Sequence, residues 1–275
     1  MINLVVAIPC EARPLIRHLH LQKQADVRSY GLYCHKDLRL IVTGIGKLAA
    51  ACACAWLQGM SEQQQNPGTD AWLNIGIAGH RSLDIGSGVL AHRISESGSN
   101  SNWYPGFTAE PLSPTSALIT VEQPETRYDE DALYDMEASG FYTSCSHFSA
   151  IELIHSFKVV SDNPDSDIGA IDEGTVTRLI ESQLPTIDLI IQNLRRDREN
   201  LARQQQTPAH LQACLRRWHF SHYQRLQLQR LLLRWQCLAP DHDLWLTAFN
   251  EMENAAQALD YLQQHLDQLP VRFGR

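Results

Sequence analysis

Several familiar signals are missing from this sequence, and each absence excludes a class of protein. No run approaches the roughly 18 consecutive apolar residues that a helical membrane span needs. The apolar run Ile2–Ile8 has no basic residues before it and stops at Pro9, so it reads as a buried strand and not as a signal peptide. The seven cysteines (10, 34, 52, 54, 145, 214, 237) are an odd set with no Cys-x-x-Cys pair. They fit neither a disulfide framework nor a zinc ribbon, and read as the reduced thiols of a cytoplasmic protein. The twelve histidines form no ligand set. His18 and His20 diverge on a helix, and His219 and His222 share a helix face but lack a third ligand at suitable spacing, so neither metal nor cofactor is expected. Basic residues are outnumbered, 23 Lys+Arg against 31 Asp+Glu, and the net charge of −8 excludes a binder that wraps polyanions over its whole surface. There is no internal repeat.

The first half alternates short apolar runs with glycine-rich turns. Strands are predicted at Ile2–Ile8, Leu32–His35, Leu38–Thr43, Trp72–Ile77, Gly88–Ile94, Ala117–Val121 and Ser156–Ser161. Helices are predicted at Glu11–His20, Leu48–Met60 and Ala132–Phe148. Most of the strands are continuously apolar, which indicates a sheet covered on both faces. From Gly174 onward only helical periodicity appears, over Val176–Leu184, Ile187–Gln206, Pro208–Trp235 and Leu244–Leu269, with helix starts signalled at Thr207-Pro208 and near Asp241–Asp243. The expected organisation is an α/β domain over residues 1–200 and a basic, all-helical extension over residues 201–275. Charge divides unevenly. Residues 190–236 hold nine arginines against two acids, a net +7, which leaves −15 for the remainder.

Four further segments carry chemistry. Gly44-Ile45-Gly46-Lys47 follows a strand and opens a helix, but it lacks the spacer and Ser/Thr of a P-loop and the third glycine of a dinucleotide fingerprint, so it reads as a tight turn. Asn74-Ile75-Gly76-Ile77-Ala78-Gly79 ends a strand in small residues, where a ligand can approach the backbone. Asp135-Met136-Glu137-Ala138 puts a carboxylate at a helix start, favoured there by the helix dipole and able to accept hydrogen bonds from two vicinal hydroxyls. Val159-Val160-Ser161-Asp162 ends a buried strand in an aspartate, a common place for a general acid and also for a turn.

Together with Ala7-Ile8-Pro9-Cys10-Glu11, these pieces in this order resemble the nucleoside phosphorylase/nucleosidase superfamily, in particular the methylthioadenosine/S-adenosylhomocysteine nucleosidase type. The resemblance implies a three-layer α/β sandwich around a mixed, partly barrel-like sheet (phosphorylase/hydrolase-like), with the all-α extension outside it. It implies cleavage of a ribosyl N-glycosidic bond and a homo-oligomer, a dimer being favoured. On the matching positions it implies Asp162 as general acid at the purine, Glu137 on the ribose hydroxyls with Met136 under the sugar, and Glu11 orienting the attacking water. Ile77, Ala78 and Gly79 would line the pocket. Glu11 stands one residue off in a gapless match to the family's Met-Glu-Glu-Glu start. Asn74 and Ile77 stand where a phosphorylase presents phosphate-binding groups, so water is the expected nucleophile. The short connection between Val121 and Asp135 offers only Gln123, Tyr128 and Tyr134 to read the base.

Two alternatives stand beside the nucleosidase. One is a phosphorylase with phosphate as co-substrate. The other is a non-catalytic binding module whose basic helix, residues 208–235, offers arginine beside Trp and Tyr to nucleic acid or an acidic partner. The bland reading of those arginines is a solvated or internally paired face. Trp218, Tyr223, Leu226, Leu231, Leu232 and Trp235 read as the core stripe of that helix.

Overall fold

The structure, a computed structural model, describes residues 1–62, 70–166, 171–204, 210–239, 244 and 247–268. The chain forms two compact units, Met1–Leu201 and Ala202–Arg275.

The first unit opens with β1 (Ile2–Val6), whose side chains alternate between two apolar layers. Ile2, Leu4 and Val6 pack in one core and Val5 in the other, which is why the run is apolar on both faces, with Asn3 as its one polar residue. Pro9 starts α1 (Pro9–His18), followed by β2 (Gln22–Lys23), β3 (Gly31–His35) and β4 (Leu38–Val42). The turn after β4 runs through Gly44 and Gly46, at φ +88° and +104°, into α2 (Lys47–Glu62). Then come β5 (Ala71–His80), β6 (Gly88–Glu96), β7 (Asn102–Trp103), β8 (Thr115–Thr120) and β9 (Leu133–Asp135). The unit ends with α3 (Ala138–Cys145), β10 (Ile154–Asp162), α4 (Glu173–Ser182) and α5 (Leu184–Gln204).

The sheet is mixed and half closed, as expected. β5 pairs in parallel with β1 and β10, and at its far end antiparallel with β9. Pairings of β10 with β6, β6 with β8 and β8 with β9 bring the sheet back to β5 and close a five-stranded barrel. β1, β4, β3 and β2 extend from β5 as an open wing. One helical layer is built from α1, α4 and α5 through Leu15, Ile180, Ile187, Ile191 and Leu194. The other is built from α2 and α3 through Ala50, Ala53, Leu57, Phe141 and Cys145. The small residues of α2 let the two helices of that layer approach closely. A Cβ on Gly140 would lie 2.0 Å from the Lys47 carbonyl oxygen.

Three expected elements need correction. Ala132–Phe148 is not one helix. Leu133, Tyr134 and Asp135 pair with β8 and β5 to close the barrel, and the helix begins only at Ala138. Pro208–Trp235 is two helices, α6 (Leu211–Arg217) and α7 (His222–Leu238), because Trp218 turns extended and Ser221 caps a new start through reciprocal bonds with Gln224. The stretch from Leu244 reaches helix only at α8 (Ala255–Gln268), after a 3-10 turn at Ala248–Glu251. The helix starts at Thr207-Pro208 and Asp241–Asp243, and residues Gln206 and Leu269, lie outside the described residues.

Ala202–Arg275 has its own core, where Trp218 meets Phe249 edge-on at 5.4 Å and Leu231, Leu232 and Trp235 are buried. Tyr223 and Leu226, read as part of that stripe, are exposed instead. No helix of the described residues is long and apolar enough to cross a membrane.

Gly140→Ala forces a methyl into backbone, which cannot yield as a flexible side chain would. It should cost at least about 2 kcal/mol of stability, read as a lowered urea midpoint in the full chain. An unchanged midpoint would show that α2 and α3 do not meet here.

Candidate active site

The five carboxylates that line one cavity sit on different elements and have different surroundings. Glu11 is the third residue of α1 and turns back over the helix start. One oxygen accepts from the Ala7 and Ile8 N–H groups, both at 3.1 Å, and the other from Ile77 N–H at 3.0 Å. Gly76 makes room for it, since a Cβ there would stand 2.8 Å from Glu11 Oε1. Burial pushes the Glu11 carboxyl above its usual range, against Lys158 and the three N–H donors.

Lys158 lies in the middle of β10, only 1% exposed, with Nζ 2.8 Å from Asp135 Oδ2. Burial alone would lower its affinity for the proton. Asp135, Glu137 and Glu11 together outweigh burial and hold the ammonium above its ordinary value. Asp135 is fixed on its other sides by the Thr120 hydroxyl and the Ala138 N–H, both at 2.9 Å. Glu137 stands at the N-cap position of α3 without bonding the helix's own N–H groups, and accepts instead from Gly46 N–H at 2.8 Å, in the left-handed turn at Gly46. Its carboxyl is pushed up to about 7, first by burial and then by Asp135 and Glu11, with Lys158 and the Gly46 N–H opposing.

Asp162 ends β10 after an irregularity in the pairing with β5 between Val160 and Asp162, which sets it opposite Gly79. Both its oxygens are held by hydroxyls, Oδ1 by Ser161 and Oδ2 by Tyr128. Tyr128 is buried and sits at φ +50°, an uncommon conformation for a bulky residue. Gly79 lies beneath the pair, where a Cβ would be 2.5 Å from Asp162 Oδ2 and 2.6 Å from the Tyr128 ring.

The cavity has a volume of about 300 Å³. Every residue expected at the site lines it: Glu11, Ile77, Ala78, Gly79, Met136, Glu137 and Asp162. Asp135, Tyr128, Ser161, Tyr134 and Glu125 also line it, and apolar surface comes from Ile8, Ile45, Val121 and Val176. Among the described lining residues there are five carboxylates and no lysine or arginine. Among all described residues, no group of three or more His, Cys, Asp or Glu is arranged to hold a metal. Lys158 was missed from sequence, although a lysine inside an otherwise buried strand is itself a signal, since it must find an acid there.

The sequence matches no protein-family model and no curated protein. Solved structures do match. The apo 5′-methylthioadenosine nucleosidase of Arabidopsis thaliana superposes with a TM-score of 0.57 at 17% identity, over 70% of this chain and 95% of that one. The Helicobacter pylori 5′-methylthioadenosine/S-adenosylhomocysteine nucleosidase bound to butyl-thio-DADMe-Immucillin-A gives 0.56 at 12% identity, over 70% and 97%. The Streptococcus pneumoniae enzyme with the transition-state inhibitor MT-ImmA gives 0.53 at 16%, over 70% and 97%. At these identities the likeness establishes the nucleosidase fold.

The raised Glu137 carboxyl makes a stability prediction. Between its ordinary 4.5 and about 7 the unfolded chain loses this proton while the folded chain keeps it. The wild type should therefore lose roughly 3 kcal/mol as pH rises through that window. Glutamine mimics the protonated acid, so Glu137→Gln should match the wild type near pH 4.5 and exceed it at pH 8. Urea unfolding at both pH values checks this, and a variant weaker than wild type at pH 8 contradicts it.

Proposed function

We propose that the chain is an N-ribosyl hydrolase that cleaves a purine nucleoside, with a 5′-substituted adenosine as the substrate the fold relatives suggest. The observation that carries this reading is the cavity, which gathers Glu11, Glu137 and Asp162 without a lining cation among the described residues. Such a site is complementary to the positive charge that builds on the sugar as the glycosidic bond breaks. The names of the matching solved structures, nucleosidases of 5′-methylthioadenosine, point the same way.

In this mechanism Glu137 accepts hydrogen bonds from the 2′- and 3′-hydroxyls and Met136 packs under the ribose. The bond from C1′ to N9 breaks with its electron pair leaving on the purine, and N7 takes the proton from Asp162. A water oxygen bonds C1′ and gives its proton to Glu11, whose buried carboxyl is the better base for its raised proton affinity. Lys158, paired with Asp135, supplies the counter-charge behind these carboxyl groups without lining the cavity. Phosphate would meet only carboxylates here, which disfavours phosphorolysis.

We also infer that the chain works as a homodimer through the outer face of α2. Ile45 and Leu48 are 60% and 68% exposed, and Cys52 and Met60 continue an uncharged exposed stripe along the helix. Ile45 also lines the cavity, so a second copy seated on this stripe would wall the mouth of the site.

Purified protein given a panel of purine nucleosides should release free base at the same rate with and without phosphate, and Asp162→Asn should lower kcat by about 10²–10⁴-fold with the fold intact. Release that requires phosphate, with ribose 1-phosphate as product, would establish the phosphorylase instead. In sedimentation the wild type should run as a dimer and Leu48→Arg as a monomer; a monomeric wild type removes the dimer.

A further inference from the structure

The end of the cavity beside Asp162 is walled by three oxygen-bearing side chains, and the two hydroxyl hydrogens among them are spent on Asp162. A hydroxyl carries one hydrogen and two lone pairs. Tyr128 gives its hydrogen to Asp162 Oδ2, and Ser161 gives its hydrogen to Asp162 Oδ1, with the Ala78 carbonyl oxygen at 3.3 Å as a second acceptor. Tyr128 and Ser161 both line the cavity, and with their hydrogens on Asp162 their hydroxyls have only lone pairs left to offer a ligand. Once Asp162 has given its proton to N7 it is likewise an acceptor.

We propose that Tyr128 is a specificity-determining residue, which makes this end of the cavity an acceptor-only surface and so selects a 6-aminopurine over a 6-oxopurine. The proposal rests on the nucleosidase reading and assigns the choice of base in it to one residue. A 6-aminopurine that has received the proton at N7 presents two adjacent donors, N7–H and the exocyclic N–H, to Asp162 and Tyr128. A 6-oxopurine presents a carbonyl oxygen where the wall has only acceptors, and Tyr128 cannot turn its hydrogen to it without abandoning Asp162.

The geometry resists that turn. The ring is buried and packs edge-on against Tyr134 at 5.7 Å between centroids. The turn that throws it inward is tied by the Glu125 carboxylate, which accepts from Thr126 and Arg127 N–H at 2.9 and 2.8 Å. Both side chains pack directly on Gly79, where a Cβ would stand 2.5 Å from Asp162 Oδ2 and 2.6 Å from the Tyr128 ring. Burial raises the Tyr128 phenol well above its ordinary range, so its proton stays in place.

The test is Tyr128→Phe, which keeps the ring and removes the oxygen. Affinities for free adenine and hypoxanthine, and kcat/KM for adenosine and inosine, are measured on both proteins. The wild type should favour the amino base, and Tyr128→Phe should narrow the preference about 10-fold through a loss on the amino side. A role confined to folding would lower the melting temperature and leave the ratio alone, which would overturn the proposal, as would a wild type that favours hypoxanthine. If Tyr128→Phe does not fold, unsubstituted purine on the wild type serves instead: binding about 10-fold weaker than adenine is expected, and equal binding overturns the idea. A wild type that prefers adenine yet cleaves no nucleoside would sink the hydrolase and leave Tyr128 standing. Cleavage without base preference would do the reverse.

Discussion

A lysine ammonium buried inside a barrel is tolerable only if carboxylates surround it, and in this chain that requirement organises the site. Lys158 stands on β10, its direct partner Asp135 ends β9, Glu137 immediately precedes α3 and Glu11 lies in the first turn of α1. The four residues come from four elements that meet where the barrel joins the open wing. Each carboxylate would be costly alone in that environment, and so would the lysine. Held together, they fix the ends of two helices and a strand against β10. Loss of Lys158 would leave carboxylates facing one another without a counter-charge.

The same carboxyl chemistry is differentiated by what surrounds each group. Glu11 is held by three backbone N–H donors, Glu137 by one together with the influence of Lys158, and Asp162 by two hydroxyls. Their shared cavity therefore holds carboxyl groups in unlike surroundings, and burial raises two of them, Glu11 and Glu137, above the usual carboxyl range. The glycines make this possible. At Gly76 and Gly79 a carboxylate oxygen lies where a Cβ would be, and at Gly46 a left-handed turn aims an N–H at Glu137.

What was legible in the sequence follows from which forces are local. Predominantly apolar runs such as Ile2–Val6, interrupted only by Asn3, announce strands buried on both faces, and the strand-end and helix-start motifs place Glu11, Glu137 and Asp162 beside one cavity. The three-residue β9 was not legible, because Leu133–Asp135 is held extended by pairing partners at Leu118–Thr120 and Gly79–His80 and not by its own composition. The +7 of residues 190–236 also misleads when read linearly. Arg195 donates two bonds to Asp37, 158 positions away, Arg198 approaches the same carboxylate, and Arg196 and Arg234 pair with Asp197 and Asp267. Arg217 donates to Asn250 and covers the Trp218 ring. Much of what looks like one basic face is therefore a set of separate internal pairs, and Arg216, Arg225 and Arg230 are the exposed ones with no ion pair among the described residues.

The connection from Val121 to Asp135 shows how a short segment can still furnish one end of a binding cavity. Too short to fold an element of its own, it uses the Glu125 carboxylate to tie two successive N–H groups into a turn. It then holds Tyr128 in a left-handed conformation that costs about 1–2 kcal/mol for such a residue. That conformation persists because tertiary contacts over-determine it: the hydroxyl on Asp162, the edge-on contact with Tyr134, and the bare backbone of Gly79 beneath. The left-handed residue bonds Asp162 directly, so the conformation of this turn is tied to the position of that carboxylate. Tyr128 thus fills with a side chain the place for which the short connection has no length to spare.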